Sequence, residues 1–161
     1  MQTLKDALFG NEITYTINPN HLNRTGKGGG VLIGGNLSLL IASLCSVSDF
    51  NYDGKILFIE DVGEYLYAVD RMIRTLDRAG KLKNLAGLIV GGFTDIKDND
   101  IPFGQTVPEI VMDVVKDYHY PVCFDFPAGH VPDNQALVLG TYVNLLVSNK
   151  TNSLIYKKTR E

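Results

Sequence analysis

Two side chains in this sequence are candidates for moving a proton. His130 lies within Pro-Ala-Gly-His-Val-Pro, at residues 127–132, where proline and glycine restrict the backbone and hold the imidazole in place. Glu60 follows the apolar segment 55–59, and the C-terminal end of a strand is a common position for ligand-binding groups in α/β proteins. A histidine base and a carboxylate that orients it form two thirds of a nucleophile triad. The structural alternative is that His130 only packs and that Glu60 pairs with Arg71.

A glycine-rich segment is the second candidate site. Lys27 is followed by Gly28 and not by the serine or threonine of a P-loop, and Ile33 stands where the dinucleotide fingerprint requires its third glycine. Nucleotide binding is therefore the weaker alternative for this segment. We predict that Gly34 and Gly35 permit close backbone approach, that Asn36 caps the next helix, and that these three residues bind substrate.

No pattern in the sequence predicts a metal or a cofactor. The acidic segment 95–100 lacks the glycine and the glutamate that an EF-hand loop requires. Cys45 and Cys123 are far apart in the sequence and lie among apolar residues, so we expect both to be buried free thiols.

Length and composition favour one globular domain. The 161 residues are 45% hydrophobic and 20% charged, which excludes disordered, collagen-like, coiled-coil and disulfide-scaffold proteins. A net charge of −3 does not favour nucleic-acid binding. The chain has neither a secretory signal nor an apolar run of about 20 residues, so we expect a soluble chain without membrane association, in a reducing compartment.

The hydrophobic pattern predicts alternating strands and helices, typical of an α/β or α+β domain. Asp61 with Glu64, and Thr106 with Glu109, resemble capping boxes at two helix starts, and Gly80 is a predicted helix stop. The glycine-rich segment 18–36 is predicted to be a loop. The predicted strands are 13–17, 55–59, 85–90 and 122–126 with a closing hairpin of 136–148 and 153–157, and the predicted helices are 2–9, 37–45, 61–79 and 106–115.

Four motifs in the same order resemble the LD-carboxypeptidases, or muramoyltetrapeptide carboxypeptidases, and the related microcin C self-immunity peptidases. The resemblance runs from about Leu4 to Lys157. The motifs are Gly34-Gly35-Asn36-Leu37, Ile56-Leu57-Phe58-Ile59-Glu60-Asp61-Val62 with Glu64, Tyr67 and Asp70-Arg71, Gly91-Gly92-Phe93, and Pro127-Ala128-Gly129-His130.

This resemblance implies both a fold and a reaction. Such enzymes have two domains, and the matching half is a swivelling β/β/α domain, which makes α/β the expected class. Their Ser-His-Glu triad places its glutamate at Glu60 and its histidine at His130. The implied reaction hydrolyses an L,D-peptide bond and releases D-alanine from a murein tetrapeptide in the cytoplasm, with no metal or cofactor.

The serine of the triad has no counterpart in this sequence. None of the six serines lies at a strand-to-helix elbow, and Ser38 falls in the first turn of a predicted helix. We therefore expect residues 1–161 to be the second domain of a two-domain peptidase whose first domain carries the nucleophile. Alone, the chain is expected to be inactive, to expose an apolar docking surface and to form a homodimer.

Three other functions remain open on the sequence alone. The chain could be a non-catalytic module for peptide binding or dimerisation, or a hydrolase of microcin-type peptide conjugates. The third alternative, a nucleotide-binding α/β protein, depends only on the glycine-rich segment.

Overall fold

The computed structural model describes residues 2–156, which form four helices and seven strands. The helices are α1 (Gln2–Leu8), α2 (Leu37–Ser43), α3 (Leu66–Arg78) and α4 (Val107–Val114). The strands are β1 (Thr14–Ile17), β2 (Gly26–Asn36), β3 (Ile56–Val62), β4 (Gly87–Thr94), β5 (Val122–Cys123), β6 (Tyr142–Val147) and β7 (Asn152–Tyr156).

The strands form one mixed sheet in the order β1-β7-β6-β2-β3-β4-β5. Strand β2 joins its two halves because it changes partner along its length. Residues 26–31 pair antiparallel with β6, and residues 32–36 pair parallel with β3. The half containing β3, β4 and β5 is parallel, and the half containing β1, β7 and β6 is antiparallel.

The parallel half of the sheet is buried on both faces. Leu57 and Ile59 of β3 belong to one core with the buried residues of α2, α3 and α4. Ile56 and Phe58 point the other way, into a second core with the buried residues of β1, β6 and β7. Because both faces are covered, β3 is apolar at consecutive positions. The layers are therefore helices, parallel strands and antiparallel strands, which confirms the expected β/β/α arrangement and α/β class.

The prediction of a loop over residues 18–36 is wrong for its second half, which is strand β2. Two of its glycines lie where the strand crosses other backbone closely. A Cβ atom at Gly28 would overlap the carbonyl oxygen of Ala86, and one at Gly30 would overlap that of Gly54. Glycine normally weakens a strand, but here only glycine fits these two inward positions.

Helix α3 begins later than predicted. Its N-cap is Tyr65, whereas Asp61 belongs to β3 and is buried, so the predicted cap at Asp61 is wrong. The predicted stop is confirmed, since Gly80 has φ +73° and the N–H of Lys81 donates to the carbonyl of Leu76. The capping box at Thr106 is also confirmed, because the Glu109 carboxylate accepts from the Thr106 N–H.

Other predicted elements are present with different limits. Strand β4 continues beyond residue 90 to Thr94, and only Val122 and Cys123 of the predicted strand 122–126 form a strand. The closing hairpin is confirmed as β6 and β7, although Lys157, the end of its predicted second strand, lies outside the described residues. Cys123 is buried as expected, but Cys45 is exposed, so that prediction is wrong. No helix within residues 2–156 is long and apolar enough to span a membrane.

The crossing of β2 can be tested with two neighbouring substitutions. Gly28→Ala should lower the free energy of unfolding by about 1–3 kcal/mol, because its Cβ atom meets fixed backbone. Gly29→Ala is the matched control, since its Cβ atom meets the movable ends of the Tyr142 and Asn144 side chains. Urea unfolding of both variants measures the difference, and equal midpoints would contradict the close crossing.

Candidate active site

Glu60 and His130 form the candidate catalytic pair. The imidazole Nδ1 of His130 lies 2.6 Å from Oε2 of Glu60, so the histidine and the carboxylate that the sequence suggests as its orienting partner are in contact. Because a carboxylate only accepts, Nδ1 carries the shared proton, and Nε2 of the neutral ring is then an acceptor. Within residues 2–156, Nε2 has no hydrogen-bond partner. The alternative ion pair of Glu60 with Arg71 is not formed, and the Arg71 guanidinium lies over the ring of Tyr67.

The two side chains differ strongly in exposure. The carboxylate side chain of Glu60 is only 7% exposed, whereas the imidazole side chain of His130 is 52% exposed. A buried carboxylate is shielded from bulk water, so it can hold one ring nitrogen while the other remains accessible. The arrangement can therefore take up a proton from a group that approaches the exposed edge of the ring.

An irregularity between β3 and β4 creates the space for Glu60. Ile59 pairs with Val90 and Asp61 pairs with Phe93, so two residues of β4 lie opposite Glu60 alone. These two residues are Gly91 and Gly92, the third motif of the sequence. A side chain on Gly91 would overlap the carbonyl of Ala128, and one on Gly92 would overlap Val131. The paired glycines thus let the His130 turn pack against the strand ends.

Gly129 brings the backbone of that turn against Glu60. Its φ of +103° favours glycine, and a Cβ atom there would lie 2.7 Å from Cβ and 2.8 Å from Oε2 of Glu60. The N–H of Gly92 donates to the carbonyl of Ala128 at 2.9 Å. The turn is therefore joined to β4 immediately before His130.

Asn36 lies beside this pair, in the register position opposite Glu60. It caps α2 as predicted, since its Oδ1 accepts from the N–H of Leu39. Its Nδ2 donates to Asp61, which also accepts from the N–H of Ser38. Both the amide and the carboxylate are thus used within the domain. Sequence analysis missed this role of Asp61, although a carboxylate in an otherwise apolar strand is a sign of a buried polar partner.

The two neighbouring glycines have different surroundings. Gly34 lies at φ +123°, and a side chain there would overlap the backbone of Phe58. Gly35 has φ +138° and nothing within 4 Å of a Cβ position, so space is open above it. The predicted close approach is confirmed at Gly34. Contact of Gly34, Gly35 or Asn36 with substrate stays a prediction.

Among the described residues, no serine, threonine or cysteine side chain hydrogen-bonds to the imidazole of His130. Ser38 donates to Asn36, and the hydroxyls of Ser43 and Ser46 donate to helix or turn carbonyls. Cys123 is fully buried, and burial raises its pKa to about 12, so it is a neutral thiol at physiological pH. Within residues 2–156, His, Cys, Asp and Glu side chains do not form any group of three or more that could hold a metal ion.

A cavity of about 550 Å³ lies at the same edge of the sheet, beyond β4 and β5. Its walls include Phe93, Phe124 and the start of α4. Gly91 borders it, but neither Glu60 nor His130 lines it. The candidate catalytic pair therefore lies outside this cavity, although Gly91, opposite Glu60 in the sheet, borders it.

Comparison with known proteins identifies relatives of this domain. Residues 29–145, well over half of the chain, match the family described as LD-carboxypeptidase C-terminal domain. A probable murein peptide carboxypeptidase of Bacillus subtilis (strain 168) is 32% identical over 142 residues, which cover 87% of this chain and 44% of that protein.

Solved structures agree with the sequence relatives. The muramoyltetrapeptide carboxypeptidase of Oxalobacter formigenes superposes with a TM-score of 0.89 at 26% identity, over 99% of this chain and 55% of that one. The microcin C7 self immunity protein MccF superposes with a TM-score of 0.73 at 25% identity, over 84% of this chain and 40% of that one. The chain therefore spans about half of the length of these proteins, or less.

The contact between Gly129 and Glu60 can be tested by adding one methyl group. Gly129→Ala should displace the carboxylate and remove the downfield proton signal of the His130 Nδ1–H in NMR spectra. Gly104→Ala is the matched control, because Gly104 also has positive φ but has nothing within 4 Å of its Cβ position. Both variants should lose about 1 kcal/mol of stability from backbone strain. Retention of the signal in Gly129→Ala would contradict the contact.

The two cysteines should differ sharply in reactivity. At pH 8 a thiol reagent should modify one cysteine of the folded chain, the exposed Cys45. Cys123 should react only after unfolding, because it is buried and its raised pKa keeps it protonated. Cys45→Ser should abolish the fast reaction. Rapid modification of Cys123 in that folded variant would show that it remains a possible nucleophile.

Proposed function

The chain belongs to the LD-carboxypeptidase family, whose C-terminal domain it matches, and from this premise we propose that it supplies the histidine and glutamate of a serine peptidase. The proposed reaction hydrolyses the L,D-peptide bond of a murein tetrapeptide and releases the terminal D-alanine. The observation that carries the proposal is the 2.6 Å contact between the buried Glu60 carboxylate and the half-exposed His130 imidazole.

In the proposed mechanism, His130 acts as base and then as acid. Its Nε2 takes the proton of a serine hydroxyl as the oxygen attacks the peptide carbonyl carbon. The protonated ring then gives this proton to the departing amine of D-alanine, and the C–N bond breaks. Water repeats the sequence on the acyl-enzyme ester, so that the peptide carboxylate is released and the serine hydroxyl is restored. The open edge of the ring and the lack of a partner for Nε2 within residues 2–156 support this role.

Glu60 fixes the tautomer of that ring. A carboxylate on Nδ1 keeps the proton there, leaves the lone pair on Nε2, and stabilises the imidazolium that forms when the serine proton arrives. The burial of Glu60 supports this role, because its interaction with the imidazolium is less screened than it would be in water.

We place the serine on a segment outside this chain, in a preceding domain. This assignment is supported by the hydrogen bonds that engage Ser38, Ser43 and Ser46 away from His130. It is also supported by the relatives, which are about twice as long as this chain or longer. On this basis we propose that the chain alone is inactive.

The backbone at Gly34 and Gly35 is the proposed substrate-facing surface. Gly35 lies one residue before Asn36, the register partner of Glu60, and the space above it is open. A peptide backbone could approach it without a side chain in the way. We propose that Asn36 faces the substrate and also fixes the backbone of Gly34 and Gly35, because its Nδ2 donates a hydrogen bond to Asp61.

Hydrolysis of microcin-type peptide conjugates is a second candidate function. The observation that favours it is the superposition on the microcin C7 self immunity protein MccF. Both candidates use the same pair of side chains, so they differ in the group that leaves. A cytoplasmic location and a homodimer are part of the first proposal and require localisation and light-scattering measurements. A non-catalytic peptide-binding or dimerisation module is the outcome if no hydrolysis is found.

The proposed reaction can be tested by joining this chain to the serine-bearing domain of a relative. On a tetrapeptide with terminal D-alanine, His130→Ala should lower kcat/KM by about 10⁴-fold or more and Glu60→Gln by about 10²–10⁴-fold. His119→Ala and Glu12→Gln are matched controls, since both side chains are exposed elsewhere in the fold. A microcin-type conjugate in a parallel assay separates the two substrate classes.

Two results would overturn parts of this proposal. Full turnover after His130→Ala would remove the catalytic role of the pair. Release of D-alanine by the 161-residue chain alone would show that its nucleophile lies within the chain.

A further inference from the structure

Thr94 joins the end of β4 to the backbone of His130. Its Oγ1 donates a hydrogen bond to the His130 carbonyl oxygen at 2.8 Å. Thr94 itself is held in register, since it pairs with Val62 of β3 and its carbonyl accepts from the N–H of Gly63 at 3.0 Å. The strand pair β3–β4 therefore carries Glu60 and, through Thr94, also contacts the backbone of His130.

Packing alone does not hold His130 in place. Its side chain is 52% exposed, and residues 132–134 after it are exposed as well. The turn is fixed instead by polar contacts, among them the Gly129 N–H that donates to Oδ1 of Asn134 at 3.1 Å. The hydrogen bond from Thr94 acts on the carbonyl of His130 itself, which is attached to the same Cα atom as the side chain that carries the imidazole.

We propose that Thr94 is a positioning residue, whose hydroxyl fixes the backbone of His130 so that Nδ1 faces Glu60. The importance of Thr94 for catalysis rests on the proposed function, whereas its positioning of His130 is a property of this chain. Glu60 and Thr94 lie on adjacent paired strands, so their separation is set by sheet register. His130 is thus held at two points by the same two strands. Glu60 contacts its ring, and Thr94 contacts its backbone carbonyl.

The test measures the hydrogen bond of the imidazole in the chain as it exists. With ¹⁵N-labelled histidine, NMR gives the rate at which the His130 Nδ1–H exchanges with water. Thr94→Val keeps the shape but removes the hydroxyl, and should raise this rate by up to about tenfold, the scale of one neutral hydrogen bond. Thr94→Ser keeps the hydroxyl and should stay within about twofold of the unaltered chain. Glu60→Gln removes the carboxylate and gives the exchange rate expected when the contact with Nδ1 is lost.

Thr75→Val is the matched control. The Thr75 hydroxyl also donates to a backbone carbonyl, that of Arg71 at 2.7 Å, but within α3 and away from the pair. It should leave the exchange rate unchanged. Circular dichroism establishes that each variant is folded. If the Thr94→Val chain does not fold, Thr94→Ala is used in its place.

The outcomes separate this inference from the proposed function. An unchanged Nδ1–H exchange rate in a folded Thr94→Val or Thr94→Ala chain would overturn the positioning role. If the rate rises as expected while His130→Ala leaves hydrolysis intact in the joined enzyme, the positioning role stands and the proposed catalytic role fails.

Discussion

Close contact of backbone with backbone, possible only at glycine, is the constraint on which this domain depends. Gly28 lets β2 cross beside Ala86, and Gly34 lets it lie against Phe58 in the parallel half of the sheet. A similar close approach occurs at the site, where the carbonyl of Ala128 lies against Gly91 and the backbone of Gly129 lies against the side chain of Glu60. Each glycine thus exchanges the stability that a packed side chain would give for a shorter distance between chain segments. The layers and the contact between Glu60 and His130 both depend on these distances.

Much of the fold follows from local sequence rules. The apolar run of β3 and the capping signals at Asn36, Gly80 and Thr106 act within a few residues, and the structure confirms these elements. The pairing of Glu60 with His130 is different, because the two residues are 70 positions apart and are joined only by tertiary structure. The turn around His130 and the strand end at Glu60 suggest the pair, the residue types alone leave Arg71 as an alternative partner, and the resemblance to a known family favours His130.

Two of the three errors have a common physical origin. Glycine is a strong loop signal when only local conformation is considered, so residues 26–36 were predicted as loop although they form the central strand. Asp61 has the residue type of a helix cap, but it lies in β3 and serves a different helix, α2, through the N–H of Ser38. Cys45 lies in an apolar stretch, yet the turn after α2 leaves it exposed. For the glycines of β2 and for Asp61, a long-range contact determines the role, and no window of neighbouring residues contains it.

The order of strands has a consequence for biosynthesis. The first strand, β1, pairs only with β7 among the described strands, through register partners such as Thr14 and Ile155. Because β7 is the last of the described strands, β1 can pair within the sheet only after nearly all of the domain has been synthesised. Contacts of such high sequence separation slow folding and leave unpaired edges in the meantime. A nascent chain of this domain should therefore be most dependent on chaperones just before its final hairpin leaves the ribosome.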